Sequence, residues 1–401
     1  MRVIIHIGTE KTGTTTLQET LGKNRKALRK AGIAYLAGPK LKNARDLAAA
    51  YVPGGKPDDY LAAWGIGTDE ERSRFRADTE EYYRSQLEKA RKKCHTAVLS
   101  SEHFHSRLQT ADSIGHLKGL LEPYADEMVI VCYLRRQVDM VVSMHSTVLK
   151  SGGGPSFKGH TENMLRSDRY YCDYKKMLDN WDSVFGRSAI KARRFIKEKL
   201  VNGNIIDDFF RSQGLSERKV KIRPEPTNES VNHIGQVLLR ELNRSIPQSA
   251  SSKVKNNAKV VRRTISKAFA GRGEQLPPEA AKRLQSRFDE INEEVRKEYF
   301  PDSEVLFSKK IEDDDGRMLT SEQEEAVKGL VALVASDGEY TGTLRDYDPY
   351  ADTLRDSADL LVGRDEEKAY QLMKLANLIR PQGGLIKKKL SRLEEKLEDE
   401  N

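Results

Sequence analysis

Gly8-Thr9-Glu10-Lys11-Thr12-Gly13-Thr14-Thr15-Thr16 is the stretch on which the reading of this chain turns. Before it stands Val3-Ile4-Ile5-His6-Ile7, an apolar run bounded by glycine that reads as a strand buried on both faces. After it, Leu17, Leu21, Leu28 and Ala31 recur at helical spacing until Gly32 stops them. Residues 1–32 therefore read as strand, tight loop and helix. A loop at such a junction aims backbone N–H groups and a helix N-terminus at one point, which makes an anion site. Its glycines let the backbone come close, Lys11 adds a charge, and Thr12, Thr14, Thr15 and Thr16 add hydroxyl donors.

Gly8 and Gly13 have the spacing of a nucleotide triphosphatase loop, G-x-x-x-x-G-K-[ST], but Thr14 stands where the lysine belongs. The loop's own lysine, Lys11, comes two residues before the second glycine. K-T-G-T-T directly after a first strand instead resembles the 5'-phosphosulfate loop of the sulfotransferase family that uses PAPS (3'-phosphoadenosine 5'-phosphosulfate). The likeness is to bacterial-type members related to carbohydrate sulfotransferases. It implies an α/β fold, a P-loop-like parallel sheet flanked by helices, with no metal requirement. Lys11, Thr12, Gly13, Thr14, Thr15 and Thr16 would hold the phosphosulfate, with Lys11 also steadying the departing phosphate.

The family also places an Arg at the end of a later strand and a Ser eight residues on, both on the 3'-phosphate. Val129-Ile130-Val131-Cys132-Tyr133-Leu134 is the clearest later strand, and Arg135 and Ser143 follow it at that spacing. Arg136 stands beside Arg135, and Gln137 occupies a position where the family often has proline. Glycan-acting relatives carry a glutamate just past the second strand, and here Ala97-Val98-Leu99-Ser100 leads to Ser101 and Glu102. Glu102 is thus the candidate base for the acceptor, with His103 and His105 as rivals because imidazole titrates near neutrality. Further likenesses, Tyr170-Tyr171-x-x-Tyr174, Trp181 and Asp207-Asp208-Phe209-Phe210, extend the resemblance to about residue 310. Each of these aromatics, taken alone, reads as core packing.

Elsewhere, the pattern predicts a charged helix from about Thr68 to Lys93, helix over Tyr170 to Phe185, and a strand within Ala189 to Phe195. From about residue 228 the chain reads as mainly helical. Residues 253–272 carry seven basic side chains and no acid, and read as a solvated insertion or an anion-facing loop. The acidic run Glu312-Asp313-Asp314-Asp315 suggests a hinge. Residues 1–312 are therefore expected to form the sulfotransferase domain and 313–401 a helical C-terminal extension, with Ala376 to Lys389 as helix, break and basic helix. That extension would cover the acceptor cleft or mediate self-association.

Composition sets the limits. The 401 residues carry 69 basic and 61 acidic side chains, a net charge of +8 that suits anionic small ligands without calling for nucleic acid. Cys94, Cys132 and Cys172 are too few and too far apart for a disulfide framework or a zinc cluster. The opening strand is too short for an export signal, and no stretch nears the roughly 20 apolar residues of a membrane helix, so a cytoplasmic protein is expected. The expected activity is sulfuryl transfer from PAPS to a hydroxyl or amine acceptor of carbohydrate or glycolipid type, releasing 3',5'-ADP. A P-loop kinase or ATPase, and a catalytically inactive nucleotide-binding module, are the alternatives.

Overall fold

The computed structural model describes residues 1–216, 230–246, 252–308 and most of 351–399. The acidic run at 312–315 and the domain boundary expected there lie outside those residues. The chain gathers into two compact units. The first comprises Met1–Val141, Glu162–Asn228 and Pro278–Glu312, and the second Val142–Thr161, Glu229–Pro277 and Asp313–Asn401.

The chain starts with β1 (Arg2–His6), α1 (Thr14–Lys23), α2 (Arg25–Lys30) and β2 (Ile33–Leu36). Then come α3 (Arg45–Ala50), α4 (Asp59–Ala63), α5 (Asp69–Arg91) and β3 (Thr96–Ser100). The helix predicted from Thr68 is α5. Its first turn is set by a capping box, in which Thr68 and Glu71 each satisfy the other's backbone N–H. α6 (His103–Arg107) and α7 (Ala111–Leu121) lead to β4 (Glu127–Leu134), followed by α8 (Gln137–Lys150), α9 (Phe157–Met164), α10 (Tyr174–Phe185), β5 (Ile190–Arg194) and α11 (Ile205–Ser212). The predicted Tyr170–Phe185 helix is in fact a short 3₁₀ turn, Tyr170–Cys172, and then α10, because the Asp173 side chain caps the new helix at the Lys176 N–H.

All the sheet pairings are parallel, in the order β2-β3-β1-β4-β5. Burial on both faces explains the unbroken apolar strands. Val3, Ile5 and Ile7 enter one layer with Leu87, Leu117 and Trp181, while Ile4 enters the other with Leu17, Leu21 and Phe209. β2 is an addition to the sequence reading: four residues straight after Gly32 are too few to show a period. On the β5 side, Asp208 of α11 is fully buried and accepts bonds from Arg193 (2.5 and 2.7 Å) and the Tyr133 hydroxyl (2.7 Å). The Asp207–Phe210 motif thereby ties α11 to two strands. Cys94, Cys132 and Cys172 are all free thiols and all buried.

In the second unit, α12 (His233–Ser245) and α13 (Ser252–Ala268) pack through Leu239, Leu242, Ile265 and Phe269. The basic stretch expected to be a loop or insertion is therefore helix α13, because its apolar residues recur at helical spacing and bury one face. Two further helices, Glu366–Ile379 and Gly384–Asp399, match the helix, break and basic helix predicted near the C-terminus. In the first unit, α14 (Pro278–Gln285) and α15 (Asp289–Tyr299) complete the helical layers. Among the described residues no helix is long and apolar enough to cross a membrane.

Candidate functional site

In register, His6 of β1 pairs with Ser100 of β3 and Val131 of β4, so all three strands release their chains at one edge of the sheet. That carboxyl edge is where open α/β sheets bind ligands. Backbone pairing continues past β1, with Tyr133 donating to the Gly8 carbonyl (2.6 Å) and Thr9 to the Tyr133 carbonyl (2.9 Å). The loop then turns away, closed by a bond from the Thr12 hydroxyl to the Thr9 carbonyl at 2.6 Å. Lys11 (φ 61°) and Gly13 (φ 76°) are both in the left-handed region. Glycine adopts it freely, whereas for lysine it costs about 1–2 kcal/mol, which the surrounding bonds offset. Gly13 caps α1 without any side-chain bond, so the first-turn N–H groups carry the positive end of the helix toward the loop.

Arg135 follows the last residue of β4 and donates from Nη1 to the Lys11 carbonyl at 2.8 Å. Arg136 instead pairs with Asp139 at 2.8 and 2.9 Å. Geometry thus separates two arginines that spacing alone had to distinguish. The Tyr174 hydroxyl donates to the Arg135 carbonyl at 2.6 Å and fixes the end of the strand. Ser143 lies on α8, the helix that begins just after Arg135.

Glu102 leaves β3 beside the loop. A Cβ added at Gly8 would stand 3.1 Å from the Glu102 Cα, so only glycine allows the two segments this approach. Gln18 of α1 donates to Glu102 Oε2 at 2.7 Å, and Asn43 donates to Gln18 Oε1 at 3.1 Å. The sequence reading missed this relay. Its one signal was a glutamine at a core-facing position, between Leu17 and Leu21.

Glu10 was missed too, although it sits inside the decisive loop. Its carboxyl is hydrogen-bonded by the hydroxyls of Tyr171 and Ser106, and burial, then the Glu102 carboxylate, push it up. Glu10 and Glu102 thus bring two carboxyl groups into one site. Of the rival bases, His103 lies next to Glu102, while His105 is fully buried against Tyr171 at 5.1 Å and Tyr170 at 6.1 Å. Burial lowers both imidazoles to about 4, so both are neutral at neutral pH.

His6, lowered to about 3, and His145, lowered to about 4, behave likewise, again chiefly through burial. A buried neutral imidazole costs nothing above its unfolded value of about 6.5, but below that the unfolded chain takes up the proton first. Stability should therefore be full above about pH 6.5 and fall steadily toward pH 4. Each of these histidines contributes roughly 2 kcal/mol of the loss by pH 5. Urea unfolding at pH 7 and pH 5 checks this, and equal midpoints would contradict it.

Among the described residues no group of three or more His, Cys, Asp or Glu side chains is placed to hold a metal ion. No family model matches the chain. An uncharacterized protein of Archaeoglobus fulgidus is 28% identical over 176 residues, which is 43% of this chain and 45% of that protein's length. Among solved structures, a sulfotransferase from Alicyclobacillus acidocaldarius is similar over 66% of this chain and 92% of its own, with 16% identity and a TM-score of 0.36.

Proposed function

We propose that the chain moves a sulfuryl group from PAPS to a hydroxyl or amine of a carbohydrate or glycolipid acceptor. The observation that carries this reading is the meeting of Arg135 with the Lys11 carbonyl, which joins the strand-end arginine to the loop expected to cradle the phosphosulfate. The cradle suits such a group: two glycines, a lysine, and a helix N-terminus whose cap engages no side chain. PAPS supplies a sulfur–oxygen bond that is already activated, with a phosphate oxygen as the leaving group. The residues must then steady that oxygen and take one proton.

Lys11 and the first-turn amides of α1 would meet the charge left on the 5'-phosphate. Arg135 would fork onto the 3'-phosphate, with Ser143 as its partner. Glu102, held by Gln18, would accept the acceptor's proton as the acceptor atom bonds to sulfur. Glu10, hydrogen-bonded by Tyr171 and Ser106, would keep a second carboxyl group beside it.

Calorimetric titration with 3',5'-ADP, 5'-AMP and magnesium-ATP tests the donor site. A charged contact to phosphate contributes about 1.5–3 kcal/mol, so 3',5'-ADP should bind at least tenfold or so more tightly than 5'-AMP, with no need for magnesium. Equal affinities, or a preference for magnesium-ATP, would sink the reading in favour of a P-loop kinase.

A further inference from the structure

Beside α4 and the turn that leads to α5 opens a cavity of about 680 Å3. That is within the roughly 300–1,000 Å3 of small-molecule sites. Pro57, Ala62 and Ile66 give it an apolar wall, and Asp59, Arg72 and Arg107 a polar edge. The charges are held in place. Asp58, itself buried, caps α4 and accepts from Arg45 at 2.7 and 2.8 Å and from Arg107 at 2.8 Å. Asp59 takes a bond from each of the same two arginines at 2.8 Å, yet its side chain stays 72% exposed. Arg72 spends Nη2 on the Lys56 carbonyl at 2.9 Å, while its buried Nη1 meets no hydrogen-bond partner among the described residues.

Arg107 links this cavity to the chemistry. It ends α6, the short helix that starts directly after Glu102, and its charge acts on both Glu10 and His103. One side chain thus lines the cavity and bears on the edge where the donor loop lies.

We infer that this cavity receives the acceptor, and that the part lodged in it is an uncharged, hydroxyl-rich ring of the saccharide kind. The inference rests on the sulfuryl-transfer reading above. A saturated sugar ring offers C–H faces to Pro57, Ala62 and Ile66. Its hydroxyls can donate to the exposed Asp59 carboxylate. A uronate there would face Asp59, and an amino sugar would face Arg72 and Arg107. Asp58 and Asp59 are matched by Arg45 and Arg107, so these pairs leave no unmatched charge for a uronate or an amino sugar to answer, which favours neutral rings.

Tryptophan fluorescence reads the test directly. The chain has two tryptophans. Trp181 is fully buried, and Trp64, 69% exposed, opens the turn that borders the cavity. The full chain, saturated with 3',5'-ADP, is titrated with maltotriose and N-acetylchitotriose, and with oligoglucuronate and oligoglucosamine as charged controls. A saturable response to a neutral trisaccharide, at least about tenfold weaker for both controls, is expected. Asp59→Ala should weaken it about tenfold or more. Gly67→Phe should do so without removing a charge, because a Cβ at Gly67 meets nothing within 4 Å and the added ring fills space. Both variants should bind 3',5'-ADP as the parent does, which shows that they are folded.

No response to either neutral trisaccharide, a preference for a charged one, or an undiminished response in both variants overturns the inference while leaving the donor site standing. Failure of 3',5'-ADP to bind the unaltered chain removes the sulfuryl-transfer reading itself, and this inference with it.

Discussion

Lys11→Ala is expected to lower the rate of sulfuryl transfer by about 10²–10³-fold, the usual cost of removing one preorganised group that meets charge growing in the transition state. Lys11 lies in the loop whose glycines and helix N-terminus converge on one site, and its own backbone is held in the left-handed region. Alanine keeps that backbone and removes the ammonium. The charge on the leaving phosphate grows during the reaction, so the loss should fall on the single-turnover rate. The affinity for 3',5'-ADP should change much less. Lys11→Arg should recover little, since a planar fork does not replace a point charge at one oxygen. A Lys11→Ala enzyme with an unaltered single-turnover rate would mean that the leaving oxygen lies elsewhere.

Glu102→Gln is expected to have the second large effect, a fall of about 10²–10⁴-fold in turnover, as for loss of a general base, the role proposed for it above. The substitution is conservative in shape. Gln18 donates to Glu102 Oε2 at 2.7 Å, and a glutamine oxygen at that position still accepts the bond. Binding of 3',5'-ADP should therefore be untouched. His103→Gln is the matched comparison, because burial lowers that imidazole to about 4 and leaves it neutral and able to take a proton at pH 7. Turnover that falls further in His103→Gln than in Glu102→Gln would move the base one residue along the chain.

What could be read from residue order was whatever has a period or a motif. The run Val3–Ile7, the two glycines and the leucines after them announce a strand, loop and helix; the structure holds the strand and the loop and divides the expected helix at Asn24 into α1 and α2. The strand before Arg135 was equally plain, the apolar run Val129–Leu134, which lies within β4. What escaped was whatever depends on a neighbour distant in sequence. Gln18 orients Glu102 across 84 positions, and Glu10 is met by Tyr171, in a segment that follows β4. Neither partner can be paired from a single sequence. β2 escaped because four residues show no alternation, and α13 because its lysines and arginines hid the spacing of Ala258, Ile265 and Phe269.

The three buried thiols give the first unit a set of built-in clocks. Cys132 lies inside β4, Cys94 just ahead of β3, and Cys172 in the turn before α10. A thiol reagent can reach each one only when its own segment opens, so three labelling rates report three local openings. Cys132, in a strand hydrogen-bonded on both edges, should react only when the sheet comes apart. Cys94 and Cys172, in connecting segments, should react sooner. Since 3',5'-ADP would bind across the loop that pairs with Tyr133, its occupancy should slow the Cys132 clock and leave the Cys94 clock nearly unchanged. Mass spectrometry of timed labelling would thus follow ligand binding from inside the core.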